Sequence, residues 1–211
     1  MGESNYSQFT KDITKWDVLR YMVQWETVEK NLFHTFHKIN QFDIKEIEDT
    51  MTSLLNHFSI TRNFEGSKKT ELATIIKNLK KSEKNVKSLN EVFIDKEILR
   101  FSDKNHKKRI KNAYVASSKI LWFFDRDNII IMDNNNIKVL REVNSKKIPE
   151  ENGYEKYKKY IEIWQDIYDK NARDEINKKI NEIKNCFKLK YIDDDWFKRR
   201  VFDIYLWRKG K

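Results

Sequence analysis

The sequence predicts an all-α protein: it has few turn formers, its apolar residues fall at helical spacing, and it is rich in large aromatic side chains. Only four Gly and one Pro occur in 211 residues, too few for the turns of an all-β fold. Hydrophobic residues make up 39% of the chain, and 13 Phe, 9 Tyr and 6 Trp supply enough apolar area for a helical core. The length fits one compact domain or two packed helical lobes. A shift in composition separates an N-terminal helical portion, 1–67, from a basic helical portion, 68–211.

Apolar residues three to five apart place the first helix over 14–38, with Trp16, Leu19, Val23, Val28, Leu32, Phe36 and Ile39 on one stripe. Ile44, Ile47, Met51, Leu54, Leu55 and Phe58 repeat the pattern over 43–58, and Gly66 marks the loop that follows. Leu72, Ile75, Ile76 and Leu79 predict a further helix, and Val86, Leu89, Val92 and Phe93 another. In the centre, Ser118–Phe124 reads as an apolar helix carrying one lysine. The buried-looking run Ile129–Met132 then leads to Asp133, which opens a helix over Asn134–Val143. Tyr157, Tyr160, Ile161, Trp164 and Tyr168 predict a helix over 154–168, and Ile176, Ile180, Ile183 and Phe187 one over 173–187. The last helix follows the acidic triplet Asp193–Asp195, whose carboxylates suit a helix start better than catalysis.

The one cysteine, Cys186, excludes an internal disulfide and a Cys-based metal site. No apolar run is long enough for a membrane span, and the first residues lack a signal-peptide core, so the expected location is the cytoplasm. His34 and His37 share a helix side, but no further ligand completes a metal set, and His57 stands by itself in the sequence. No metal and no organic cofactor is expected.

The net charge of +10 is unevenly spread. Residues 68–111 hold 14 basic against 6 acidic side chains, a balance of +8, ending in Lys104, Lys107, Lys108, Arg109 and Lys111. Such a cluster attracts phosphates and releases counterions, so the expected partner is nucleic acid, DNA first and RNA second. Its ordinary alternative is a solvated lysine-rich face.

Lys119 and Asp133 each have an ordinary explanation: a lysine that reaches from an apolar helix to water, and a carboxylate that caps a helix. Together they place an amine and a carboxylate on successive helices with apolar residues between. An amine in apolar surroundings loses its proton more readily, as a nucleophilic lysine must.

The stretches Val115-Ala116-Ser117-Ser118-Lys119-Ile120-Leu121-Trp122-Phe123 and Ile130-Ile131-Met132-Asp133, with echoes at Tyr154–Tyr168 and Arg200–Leu206, resemble the bacterial 8-oxoguanine DNA glycosylase OGG-fold family. That family is similar to the helix-hairpin-helix glycosylases. The resemblance covers about the C-terminal half and implies a helical bundle of that fold. It implies that Lys119 attacks the sugar C1′ of a flipped damaged nucleotide, with strand cleavage at the abasic site open to the same amine. By the same resemblance Asp133 stabilises the oxocarbenium ion. Base flipping needs an aromatic pocket, for which Trp122, Phe123, Phe124 and Trp164 are candidates. The chain departs from the pattern in having no glycine over Asn112–Ser118, where the hairpin of that superfamily approaches a phosphate. A role in DNA repair, or in defence against modified phage DNA, would follow from such an activity, though no residue points to either.

Two rival readings remain. Arg100 and His106 have the R-x5-H spacing of HEPN-type helical ribonucleases, a short pattern that arises readily by chance in a basic chain. A non-catalytic nucleic-acid-binding or protein-docking chain fits the same composition.

Overall fold

The architecture comes from a computed structural model, which describes residues 4–79, 85–97, 113–144, 148–150 and 153–211. Helices α1 (Ser4–Thr10), α2 (Lys15–Gln24), α3 (Lys30–His37), α4 (Ile44–His57), α5 (Lys69–Lys77) and α6 (Val86–Asp95) lead to α7 (Tyr114–Trp122). Helices α8 (Asn134–Val143), α9 (Tyr154–Ile167), α10 (Arg173–Ile183) and α11 (Asp195–Gly210) complete the chain. The fold is all-α, with no strand among the described residues. Among them, too, no helix is long and apolar enough to cross a membrane.

The chain forms two compact units, one from residues 1–28 with 130–211 and one from Glu29–Ile129. The change in composition at 67/68 lies inside the second unit.

In the first unit, α11 is buried on all sides: every residue from Arg200 to Leu206 is inaccessible or nearly so. It packs on α8, α2 and α10. Its rings form an aromatic core, with Phe197 5.0 Å from Tyr21, Trp196 4.6 Å from Trp25 and Phe202 5.1 Å from Trp164. The far end of α11 is tied to the start of the chain. Arg208 pairs with the buried Asp17 (2.7 Å), Lys209 with Asp12 (2.5 Å), and the Tyr205 hydroxyl donates to the Phe9 carbonyl. At Gly210 the two backbones nearly touch, because a Cβ there would lie 2.4 Å from the Asn135 carbonyl oxygen.

The second unit packs α3 on α4, α4 on α5 and α6 on α7. Asp43 begins α4 with a reciprocal cap: its carboxylate accepts from the Glu46 N–H (2.8 Å), and the Glu46 carboxylate accepts from the Asp43 N–H (2.9 Å). Phe36 stacks on Phe123, and Phe64 meets Phe93 edge-on. The buried Asn90 side chain accepts from the Ala113 N–H at 2.7 Å and so fixes the entry into α7.

Three expectations change. The stripe over 14–38 turns inward at Asp17, Val18, Tyr21, Met22 and Trp25, leaving Trp16 68% and Val23 62% exposed. The buried positions Val18, Tyr21, Trp25, Glu29, Leu32, Phe36 and Ile39 keep helical spacing through the π-helical turn at Trp25–Glu29, so the inward stripe begins at Val18 and not at Trp16. The helix from 173 ends at Ile183, and Phe187 lies exposed beyond it. The acidic triplet does begin α11, but its side chains bond elsewhere. Asp193 binds Lys184, Asp194 accepts from the Trp196 indole, and Asp195 accepts from the Tyr168 hydroxyl.

The Gly210 contact gives a stability prediction. Gly210→Ala should cost about 1–3 kcal/mol through overpacking, read as a lower urea midpoint. Gly66→Ala, where nothing lies within 4 Å of the added Cβ, should leave the midpoint unchanged. Equal midpoints for the two variants would show that the end of α11 does not constrain the fold.

Candidate functional site

In the second unit, α7 is buried along nearly its whole length. Its polar residues Ser117, Ser118 and Lys119 are buried with the apolar ones, and Lys119 is only 5% exposed. Its ammonium lies 5.4 Å from the centroid of the Phe58 ring, within cation–π range. The Phe58 ring stands edge-on to His57 at 4.8 Å, and His57 Nε2 lies 3.2 Å from Oε1 of Glu29. The Glu29 carboxylate is wholly inaccessible. An amine and an imidazole thus meet the same aromatic ring, and a buried carboxylate pairs with the imidazole. Burying such groups is costly unless they serve one another or a ligand.

In the first unit, Asp133 begins α8, its Oδ1 accepting from the Asn135 N–H at 2.9 Å. The strip leading to it is buried and pinned from α9. The Tyr157 hydroxyl donates to the Ile130 carbonyl (3.2 Å) and the Tyr160 hydroxyl to the Ile131 carbonyl (2.8 Å). The Asn136 amide donates to the Tyr160 oxygen at 3.4 Å. Burial first, then the charge of Asp203, holds the Tyr160 phenol well above its ordinary range, so it remains a hydrogen-bond donor.

Asp203 accepts from the Trp164 indole N–H (2.9 Å) and from Arg200 (3.2 Å). Burial pushes its carboxyl up to about 6, against the opposing pull of the Arg200 charge and the two hydrogen bonds.

Lys119 belongs to the second unit and Asp133 to the first. The candidate base-pocket residues Trp122, Phe123 and Trp164 are core residues, each at most 2% exposed. Phe124 is half-buried and helps line a cavity of about 160 Å³ with Phe36, His37, Ile39 and Ile76. That is smaller than the few hundred cubic ångströms usual for a small-molecule site. The basic cluster Lys104, Lys107, Lys108, Arg109 and Lys111, and the pair Arg100 and His106, lie outside the described residues. The His37 ring bonds the Phe33 carbonyl (3.0 Å), and both His34 and His37 lie against the Phe33 ring. Among the described residues no three His, Cys, Asp or Glu side chains gather as a metal site requires.

Sequence reasoning missed Glu29 and His57, which the fold pairs across 28 residues. It also passed over Arg200 and Asp203, whose charges interrupt the apolar run of α11 and were visible there. Comparison with protein families, with curated proteins and with solved structures finds no match.

The raised Asp203 carboxyl predicts a pH dependence. Between about pH 4 and 6 the folded protein holds a proton that the unfolded chain has lost. Stability from this group is therefore greatest below pH 4 and falls by about 3 kcal/mol as pH rises through 6. Asp203→Asn should flatten the pH 4–6 slope of the unfolding free energy and lower its value above pH 6, where Arg200 loses its counter-charge. An unchanged slope would place the shift elsewhere.

Proposed function

We propose that this chain is a DNA glycosylase of the lysine type, with Lys119 as nucleophile and Asp133 as the carboxylate that stabilises the oxocarbenium-like sugar. The observation that carries the proposal is the burial of the Lys119 amine beside the Phe58 ring, which also contacts His57, the partner of Glu29. In the proposed reaction the neutral amine forms a bond to C1′ while the bond from C1′ to the base breaks. The bonding pair leaves with the base, which takes up a proton. Loss of a proton from nitrogen and opening of the sugar ring give an imine, which water releases or β-elimination converts into a strand break. His57, hydrogen-bonded to a buried carboxylate, is a suitable proton carrier for these steps.

A second reading, nucleic-acid or protein binding without chemistry, is favoured by the packing of Trp122, Phe123 and Trp164 into cores. The two readings divide on one residue. A lysine kept for packing can be replaced by Met at little cost or with a gain in stability, whereas a nucleophile cannot be replaced at all.

Borohydride trapping on DNA carrying abasic or oxidised sites tests the proposal. The wild-type protein should form a covalent adduct, and Lys119→Met should form none while keeping its melting temperature within a few degrees. Asp133→Asn should slow base release by about 10²–10⁴-fold. Absence of an adduct and of base release across a panel of modified bases would overturn the enzymatic reading in favour of the second.

A further inference from the structure

Trp16 and Val23 lie two turns apart on the outer face of α2, with Arg20 between them. The start of α2 meets the end of α11 through the Asp17–Arg208 and Asp12–Lys209 pairs, which occupy the acidic groups there. The start of α8 joins them at the Gly210–Asn135 contact. Cations remain at this end of the first unit. The Lys15 ammonium lies 5.8 Å from the Trp16 ring and the Lys211 ammonium 3.6 Å from the half-buried Trp207 ring. Lys138 donates to the Gly210 carbonyl at 3.4 Å. Among the described residues, Lys15, Arg20, Lys138 and Lys211 make no ion pair.

We propose that this end of the first unit is a stacking platform for single-stranded nucleic acid. Trp16 and Trp207 would take bases, and Lys15, Arg20, Lys138 and Lys211 would take phosphates. The charge pattern selects this partner over an apolar protein surface: the exposed Trp16 ring and the half-buried Trp207 ring each lie beside an ammonium group, and Asp12 and Asp17 are already paired. Bases offer π faces to indoles whatever their sequence, and phosphates match the surplus cations, so binding is sequence-tolerant and salt-sensitive. The inference does not rest on the glycosylase reading. It would also bring a strand beside the start of α8, which Asp133 caps.

The test is fluorescence anisotropy of labelled dT12 and U12 titrated with the full chain at several salt concentrations. Trp16→Ala should weaken binding by about 5- to 100-fold, and Trp16→Phe should recover part of the loss. Lys15→Gln with Arg20→Gln should lower the slope of log affinity against log salt by about 1 to 1.5. Lys178→Gln, at an exposed lysine already paired with Glu175, should bind as wild type, and the oligonucleotides carry no abasic or modified site, so failure of the glycosylase reading leaves this result intact. Because Trp16 is exposed, its variants should keep the wild-type melting temperature. Wild-type binding that Trp16→Ala and Trp207→Ala leave unchanged would overturn the proposal. So would absence of oligonucleotide binding, or a concentration-dependent self-association that Trp16→Ala abolishes, which would assign the face to a second copy of the chain.

Discussion

The first unit depends on the burial of α11. A helix covered on every side has no solvent face on which to place its polar groups, so each must find a partner inside the protein. Asp203 and Arg200 meet that demand with each other and with the Trp164 indole. Tyr205 reaches the Phe9 carbonyl, and towards its two ends the helix forms ion pairs with other elements, Asp195 with Arg173, Arg208 with Asp17 and Lys209 with Asp12. Phe197 and Trp196 draw in α2, Phe202 draws in α9, and Gly210 allows α8 to come within backbone contact. The position of Asp133 is a consequence of this packing. α8 begins where α11 allows it, and the two tyrosines of α9 hold the strip that leads there.

Asp203 in the first unit and Glu29 in the second are both buried carboxylates, and they are satisfied differently. Asp203 has a permanent cation and an indole donor, a pairing suited to fixing one arrangement of helices. Glu29 has an imidazole, a group whose two ring nitrogens allow it to donate or to accept a hydrogen bond. A guanidinium only donates, so the Arg200–Asp203 pair has one fixed pattern of hydrogen bonds where the His57–Glu29 pair has more than one.

The helices were legible in the sequence because apolar spacing is a local signal, and so was Asp133, whose cap needs only the next two residues. What the sequence hid depends mostly on contacts far apart along the chain. Trp16 and Val23 lie outside because the inward stripe of α2 runs through Val18, Tyr21 and Trp25, a second helical spacing in the same segment that apolar counting alone does not rank above the first. The pairing of His57 with Glu29 exists only once α4 has folded back. The aromatic residues near Lys119 looked equally suited to a pocket or a core, and at full burial Trp122 and Phe123 serve the core.

Charge shows most directly why position along the chain differs from position in space. Helices α9 and α10 are rich in lysine, yet Lys158, Lys159, Lys178 and Lys179 each sit one turn from a glutamate and pair with it. These exposed pairs add only a few tenths of a kcal/mol each, but they cancel the field that those lysines would otherwise project. At the joined ends of α2 and α11 the opposite holds. Asp12 and Asp17 are consumed by Lys209 and Arg208, and the lysines and arginine around Trp16 and Trp207 keep their charge. A modest local excess with its acids removed projects further than a larger one that is interleaved. That local excess is assembled from stretches that counting along the sequence passes over.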